Sequence, residues 1–196
     1  MRILLNTISF ILFVFAVACN TPFVPKQKGY QNIEFPNKHY SVFNKPNYPY
    51  TFEYPVYAQI DDQVAYFGTD KKKDAWLNMR FPNYGATLYI SYNKITKPSM
   101  IDTLVRDAYT FANNHNNKAS FIEDSSFSNP NGVRGVFFHI GGNVATSYQF
   151  FVTDSSRHFF RGALYFDTTP NEDSLAPVNA FLFKDMQHLV NSFRWK

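Results

Sequence analysis

The sequence lacks most of the features that would assign a chain of 196 residues to a familiar class. It contains a single cysteine, so no disulfide can form within it. Its apolar stretch, residues 8–18, is about a dozen residues long, whereas a membrane-spanning helix needs roughly 20. There are no internal repeats and no low-complexity tracts. Stability must therefore come from buried apolar surface, and 19% of the residues are aromatic.

The one cysteine, Cys19, follows that apolar stretch directly. Arg2 is the only positive charge ahead of it, and the small residues Ala16 and Ala18 precede it. A basic start, an apolar stretch and small residues before a cut are typical of a secretory signal peptide. Together with the cysteine they predict a bacterial lipoprotein signal over residues 1–18 and acylation of Cys19 by chains such as palmitate. The alternative is an ordinary signal peptide with an incidental cysteine, because Ala16 stands where lipoproteins usually carry leucine.

The formal charge of +4 and a pI near 9.0 raise the question of a nucleic-acid partner. Such a partner needs basic residues clustered on one face. The one cluster, Lys71, Lys72 and Lys73, is flanked by Asp70 and Asp74. We interpret it as a solvent-exposed turn and expect no nucleic-acid binding.

Residues 20–30 predict a short lipidated tether, since Pro22 and Pro25 favour extended backbone. Residues 31–196 are expected to form a single globular domain. Its first part is rich in proline, which favours short extended pieces, such as 31–35 and 50–54, that wrap over the core rather than form inner strands.

Alternating and helical hydrophobic patterns follow. Strands are predicted at 56–60, 75–81, 86–92, 119–127, 133–140, 144–153 and 157–166, with turns at Asp61-Asp62 and at 82–85. A helix is predicted from Pro98 to Asn113, and a terminal helix from near Ser174, with Pro177 in its first turn. This order predicts an α+β domain, one largely antiparallel sheet with packed helices, and resembles the α/β/α sandwich of Mog1/PsbP-like proteins.

Catalytic and metal-binding patterns are scarce. No HExxH or Cys/His spacing accompanies His139 and His158, which we interpret as strand histidines, and His39, His115 and His188 have no acidic partner at a telling interval. A trio of Ser147, His158 and Asp167 lacks the G-x-S-x-G elbow. We interpret the acidic pairs Glu123-Asp124 and Asp61-Asp62 as solvent-exposed, and the glycines at 132, 135, 141 and 142 as hairpin ends. We expect no enzyme activity, metal or cofactor.

Aromatic residues alternate through the proline-rich stretch at Tyr48, Tyr50, Phe52 and Tyr54, with Tyr57 beyond. Such a row usually belongs to the core. Tyrosine next to proline is also typical of surfaces that dock partners. Both interpretations stay open, and the second makes Tyr48 and Tyr50 the candidate docking residues.

A series of short segments lies in order along the chain after the cysteine. The first is Pro25-Lys26-Gln27-Lys28-Gly29-Tyr30. The others are Ile33-Glu34-Phe35-Pro36, His39-Tyr40, Phe52-Glu53-Tyr54-Pro55-Val56-Tyr57-Ala58, Trp76-Leu77-Asn78, Leu88-Tyr89-Ile90-Ser91-Tyr92, Arg161-Gly162-Ala163-Leu164-Tyr165-Phe166 and Asp173-Ser174-Leu175-Ala176-Pro177. In these segments the chain resembles the gliding-motility-associated lipoprotein GldD family. The first segment is the most specific, and in it Gln27 replaces a proline that is frequent in the family.

This resemblance implies a membrane lipoprotein of gliding bacteria, linked to type IX secretion and to other envelope proteins of that machinery, without established catalytic residues. The neutral residues Asn20, Thr21 and Pro22 after the cysteine favour a periplasm-facing location. The alternatives are a periplasmic domain that binds a glycan or lipid in an aromatic-lined pocket and, third, an envelope hydrolase.

Overall fold

The computed structural model describes residues 33–63 and 74–196. The predicted signal peptide, Cys19, the tether and the lysine cluster at 71–73 lie outside the described residues. Residues 33–196 form one compact unit. Its elements are β1 (Tyr40–Phe43), β2 (Tyr50–Pro55), β3 (Gln59–Asp61), β4 (Leu77–Phe81), β5 (Ala86–Lys94), α1 (Ser99–Asn113), β6 (Ala119–Ser128), β7 (Arg134–Gly142), β8 (Tyr148–Thr153), β9 (His158–Phe166), α2 (Glu172–Ser192) and β10 (Arg194–Trp195).

Seven strands form the main sheet in the order β3-β4-β5-β9-β8-β7-β6. Each neighbouring pair is antiparallel. Strands β6 to β9 form the predicted meander, and β9 then pairs with β5 in the centre of the sheet. The α+β class and its antiparallel sheet are confirmed.

The two helices pack on opposite faces of this sheet. Phe150 and Phe151 are consecutive in β8, so their side chains point to opposite faces. Phe150 belongs to a core that includes Leu182 and Met186 of α2. Phe151 belongs to a second core that includes Ala108 and Ala112 of α1. The expected α/β/α layering is therefore present.

A second, smaller sheet corrects the expectation of a single one. It has the order β1-β2-β10 and is also antiparallel. We call residues 33–58 the strap, because they carry β1 and β2 and pack against α2. As predicted, this segment adds no strand to the main sheet. The terminal strand β10 was not predicted, since Arg194 and Trp195 pair with Thr51 and Tyr50, which are remote in sequence.

Some element boundaries differ from the predictions. The strand expected at 56–60 begins at Gln59, because Val56–Ala58 form a turn closed by the Ala58 N–H on the Pro55 carbonyl. Helix α1 spans the predicted residues. Helix α2 begins before Ser174, with Asn171 as N-cap, so Pro177 lies in its second turn rather than its first.

The end of α2 is held by a side chain from a distant hairpin. The buried Asn129 amide donates to the carbonyl oxygens of Val190 and Phe193, at 2.9 and 2.8 Å. These bonds satisfy groups that a helix terminus leaves without partners.

Candidate functional site

A buried cluster of hydrogen-bonded polar side chains surrounds Asp185 on α2. This carboxylate is 2% exposed and accepts bonds from Lys38 Nζ at 2.6 Å, Tyr57 OH at 2.6 Å and Tyr40 OH at 3.0 Å. Lys38 Nζ also donates to the Phe181 carbonyl at 3.0 Å and lies 3.7 Å from the centre of the Phe181 ring. We call Asp185, Lys38, Tyr40 and Tyr57 the Asp185 cluster.

A histidine extends this cluster along α2. His188 stacks on the Tyr40 ring at 3.5 Å, and its Nε2 lies 2.6 Å from a carboxylate oxygen of Glu53 in β2. Burial and the charge and hydrogen bond of Asp185 raise the pKa values of Tyr40 and Tyr57 above 10.0. Both phenols therefore stay protonated and donate to the carboxylate at neutral pH.

Every polar member of the Asp185 cluster bonds another member or the helix backbone. A buried carboxylate is retained when it is paired and hydrogen-bonded. The arrangement fastens the strap to α2, and the strap is the part of the domain that follows the predicted tether.

Tyr48 and Tyr50 lie in the core, which contradicts the docking hypothesis for both. Tyr48 is 5% exposed and Tyr50 is 0% exposed. Tyr50 packs on the rings of Phe160 and Phe193, at 4.9 and 5.7 Å, and its hydroxyl donates to the Ala75 carbonyl at 2.6 Å. Neither ring offers surface to a partner.

His139 and His158 do not approach one another, because β8 lies between their strands. His139 sits between the Tyr148 and Phe121 rings, at 4.7 and 4.9 Å. His158 is buried at the other end of the sheet, with its Nδ1 2.7 Å from the hydroxyl of Tyr92. The described residues contain no group of three His, Cys, Asp or Glu side chains that could hold a metal.

The trio of Ser147, His158 and Asp167 is not assembled. His158 is the first residue of β9 and Asp167 follows its last, so the full strand, roughly 30 Å at 3.3 Å per residue, separates them. Ser147 instead faces Asn179 of α2, at 3.4 Å.

The remaining candidates have separate surroundings. Asp61 ends β3 and pairs with Arg80, while Glu123 and Asp124 lie within β6, where Asp124 accepts a bond from Tyr109. His39 precedes β1, His115 follows α1, and His188 has the acidic partner that the sequence spacing hid. Gly132 and Gly142 have φ values of +73° and +100°, as the hairpin interpretation expects. For Gly135 and Gly141 that interpretation is wrong, since both lie inside β7 without a positive φ.

A cleft of about 420 Å³ was not foreseen from the sequence. It lies at the β3-β4-β5 end of the main sheet, where Gln59, Arg80 and Thr87 oppose one another across the three strands, and Asn78 opposes Tyr89. Opposed residues share one face of a sheet. Helix α1 packs on this face, but it covers only the β6 to β9 half of the sheet and leaves the β3-β4-β5 end uncovered. Tyr89 is consequently 47% exposed.

A family model, the gliding motility lipoprotein GldD, matches residues 20–195 of this chain. The chain belongs to the GldD family of gliding motility lipoproteins. The family resemblance noted in the sequence is thereby confirmed. Membership implies a membrane-anchored protein of the cell envelope. Within the described residues, no helix is both long and apolar enough to cross a membrane.

A solved structure also resembles this GldD family member. It is the solution structure of cyanobacterial PsbP (CyanoP) from Synechocystis sp. PCC 6803, with 14% identity and a TM-score of 0.49, covering 87% of this chain and 99% of that one. At that score we conclude nothing from it about function. No curated protein matches the chain significantly.

Proposed function

We propose that this protein is a non-enzymatic, lipid-anchored accessory of the gliding machinery that acts together with type IX protein secretion. The observation that carries the proposal is the GldD family match over residues 20–195. The match begins immediately after Cys19, the residue that lipoprotein processing would make the new N-terminus.

Acylated Cys19 is the proposed membrane anchor. Each buried CH₂ of an acyl chain contributes about 0.8 kcal/mol, so several chains on one residue hold firmly without protein contacts. A tether of residues 20–30 reaches about 30 Å at roughly 3 Å per residue, which keeps the domain close to its membrane. The neutral residues Asn20, Thr21 and Pro22 support a periplasmic orientation.

The Asp185 cluster gives the anchor a mechanical connection to the fold. A force on the tether would enter the domain through the strap, and the strap is bonded to α2 by Lys38, Tyr40 and Tyr57. An accessory that presents a rigid body to other gliding and secretion proteins of the envelope requires such a connection.

The non-enzymatic part of the proposal is supported by how the polar residues are used. His158, Asp185 and Glu53 are engaged with neighbouring side chains of their own chain. A protein without catalytic residues loses no activity when single polar side chains are removed. We expect alanine changes at His139, Ser147 and Asp167 to leave spreading and secretion intact at normal protein abundance.

The decisive experiment is a strain whose only copy carries Cys19→Ala, beside the wild type and a deletion strain. Colony spreading and secretion of type IX cargo are measured, with abundance checked by blot. We expect both to be lost at normal abundance, because the domain no longer sits at its membrane. Normal spreading and secretion in the deletion strain would contradict the function. Normal behaviour of Cys19→Ala alone would contradict the anchor.

Orientation has its own test. Protease added to intact cells is expected to leave the protein uncut and to cut it after the outer membrane is permeabilised. Cleavage on intact cells would place the domain on the outer surface and contradict the periplasmic orientation.

A further inference from the structure

The cleft at the β3-β4-β5 end of the main sheet has a chemically mixed lining. Gln59 and Asn78 contribute amides, Thr87 a hydroxyl, Asp167 a carboxylate and Arg80 a guanidinium. Amides and hydroxyls both donate and accept hydrogen bonds. A ligand that fits this lining must itself carry groups that donate and accept in alternation.

The charges of this lining largely compensate one another. Arg80 is paired with Asp61 across β4 and β3, at 2.5 Å, and Asp167 adds a second carboxylate to the rim. An anionic ligand would have to displace Asp61 from Arg80 and approach Asp167 against its charge. The lining therefore disfavours an anionic ligand.

Most of the surface of this lining is polar, which disfavours an acyl chain. An alkyl ligand is held by apolar walls, and amides left without partners beneath it would cost free energy. Of the two ligand classes proposed from the aromatic content of the sequence, glycan and lipid, the glycan fits this lining better.

One aromatic ring is placed as a stacking surface. Tyr89 is 47% exposed in the middle strand, and Tyr165 of β9 meets its ring edge-on with 5.7 Å between centroids. That contact orients the Tyr89 ring before any ligand arrives, which reduces the ordering cost of binding. A half-exposed ring can stack on the C–H face of a sugar, while the neighbouring hydrogen-bonding groups can contact the sugar hydroxyls.

The shape of the site indicates a chain rather than a single sugar. Gln59, Arg80 and Thr87 lie on successive strands, about 4.8 Å apart. That interval is comparable to the advance per unit of an extended oligosaccharide. We propose that this cleft binds a neutral saccharide chain, with Tyr89 as the stacking residue and Asn78 and Gln59 as hydrogen-bonding residues.

The test uses the full chain, purified from membranes in a detergent without a sugar headgroup. Chitohexaose and cellohexaose serve as neutral probes and hexagalacturonate as a carboxylated one, each titrated by calorimetry. We expect saturable binding of at least one neutral probe, weakened about tenfold by Tyr89→Ala. Gln59→Ala, at an exposed position, should weaken the same probe by a smaller factor.

Phe121→Ala is the matched control, since Phe121 is a 38% exposed aromatic residue on the opposite edge strand, β6. It should leave binding unchanged. Circular dichroism verifies that each variant is folded. The proposal is overturned if the wild-type chain binds neither neutral probe, if it binds hexagalacturonate alone, or if Tyr89→Ala binds as the wild type does. The test is independent of the gliding function, so each can fail without the other.

Discussion

Lys38 and Asp185 are 147 positions apart in the sequence, yet Lys38 Nζ lies 2.6 Å from the Asp185 carboxylate. One residue belongs to the strap and the other to the buried side of α2. Their ion pair, with Tyr40 and Tyr57 as further donors, links the beginning of the described domain to its last helix. In the proposed function, this link is the contact through which the strap is fixed to the rest of the domain.

Asp185→Asn should lower the free energy of unfolding by about 2–4 kcal/mol, because Lys38 loses its counter-ion and two phenols lose a charged acceptor. Chemical denaturation followed by circular dichroism measures this change. Lys45→Gln breaks the exposed pair between Lys45 and Asp62 and should cost less than about 1 kcal/mol. Equal effects of the two substitutions would show that the Asp185 cluster contributes no more than a surface pair.

Tyr50→Ala should destabilise the domain by about 3–5 kcal/mol, since it empties a fully buried ring site. Tyr50→Phe keeps the ring and loses only the hydrogen bond to the Ala75 carbonyl, so its cost should be roughly 1–2 kcal/mol. Thermal unfolding compares them with Val42→Ala, at a 63% exposed position of the same strap, which should change little. An unchanged melting temperature for Tyr50→Ala would contradict the burial of this residue in the core.

Stability should fall as the pH drops below 6.5, in part because of His158. Burial of the ring and the positive charges of Arg157 and Lys94 lower its pKa from 6.5, although Asp154 opposes them. The folded state therefore favours the neutral ring, and the stability it contributes above pH 6.5 is lost as the unfolded state takes up the proton. Burial also lowers the pKa of His115, which contributes to the same loss of stability at low pH.

Denaturation midpoints measured between pH 7 and pH 5 test this dependence. The slope should be smaller in His158→Gln than in the wild type, and smaller again when His115→Gln is added. Asp154 titrates below 3.8 and does not enter this window. A slope unchanged by both substitutions would mean that these histidines bind protons equally in the folded and unfolded states.

Much of the fold could be predicted because its signals are local. The α1 periodicity ends at Asn113 as expected, and the strand from Ala86 runs only two residues further than the alternation indicated. Where the prediction erred, either a remote contact or a local cap decided the outcome. Pairing of Trp195 with Tyr50 makes a strand of two residues that carry no strand pattern. The helix begins at Glu172 because Asn171 caps it, although Pro177 suggested a later start.

The candidate site was less predictable than the fold. The alternation of Tyr48 and Tyr50 is equally compatible with a buried strand and with a partner-docking strand. The packing of Tyr50 on the rings of Phe160 and Phe193 shows that the strand is buried. His188 has no acidic residue at a telling interval, because Glu53 reaches it from the strap. The sequence around Tyr89 indicates only a strand, and the sheet alone places Asn78 opposite it.

The sequence by itself determined the α+β class, the meander, the position of α1 and the family, since each depends on the order and periodicity of residues along the chain. Tertiary structure alone decided the separate strap sheet, the Asp185 cluster and the cleft beside Tyr89. The physical reason is that a buried charge, a shared sheet face or an uncovered strand depends on which distant residues come within a few ångströms of one another. No local pattern records those distances.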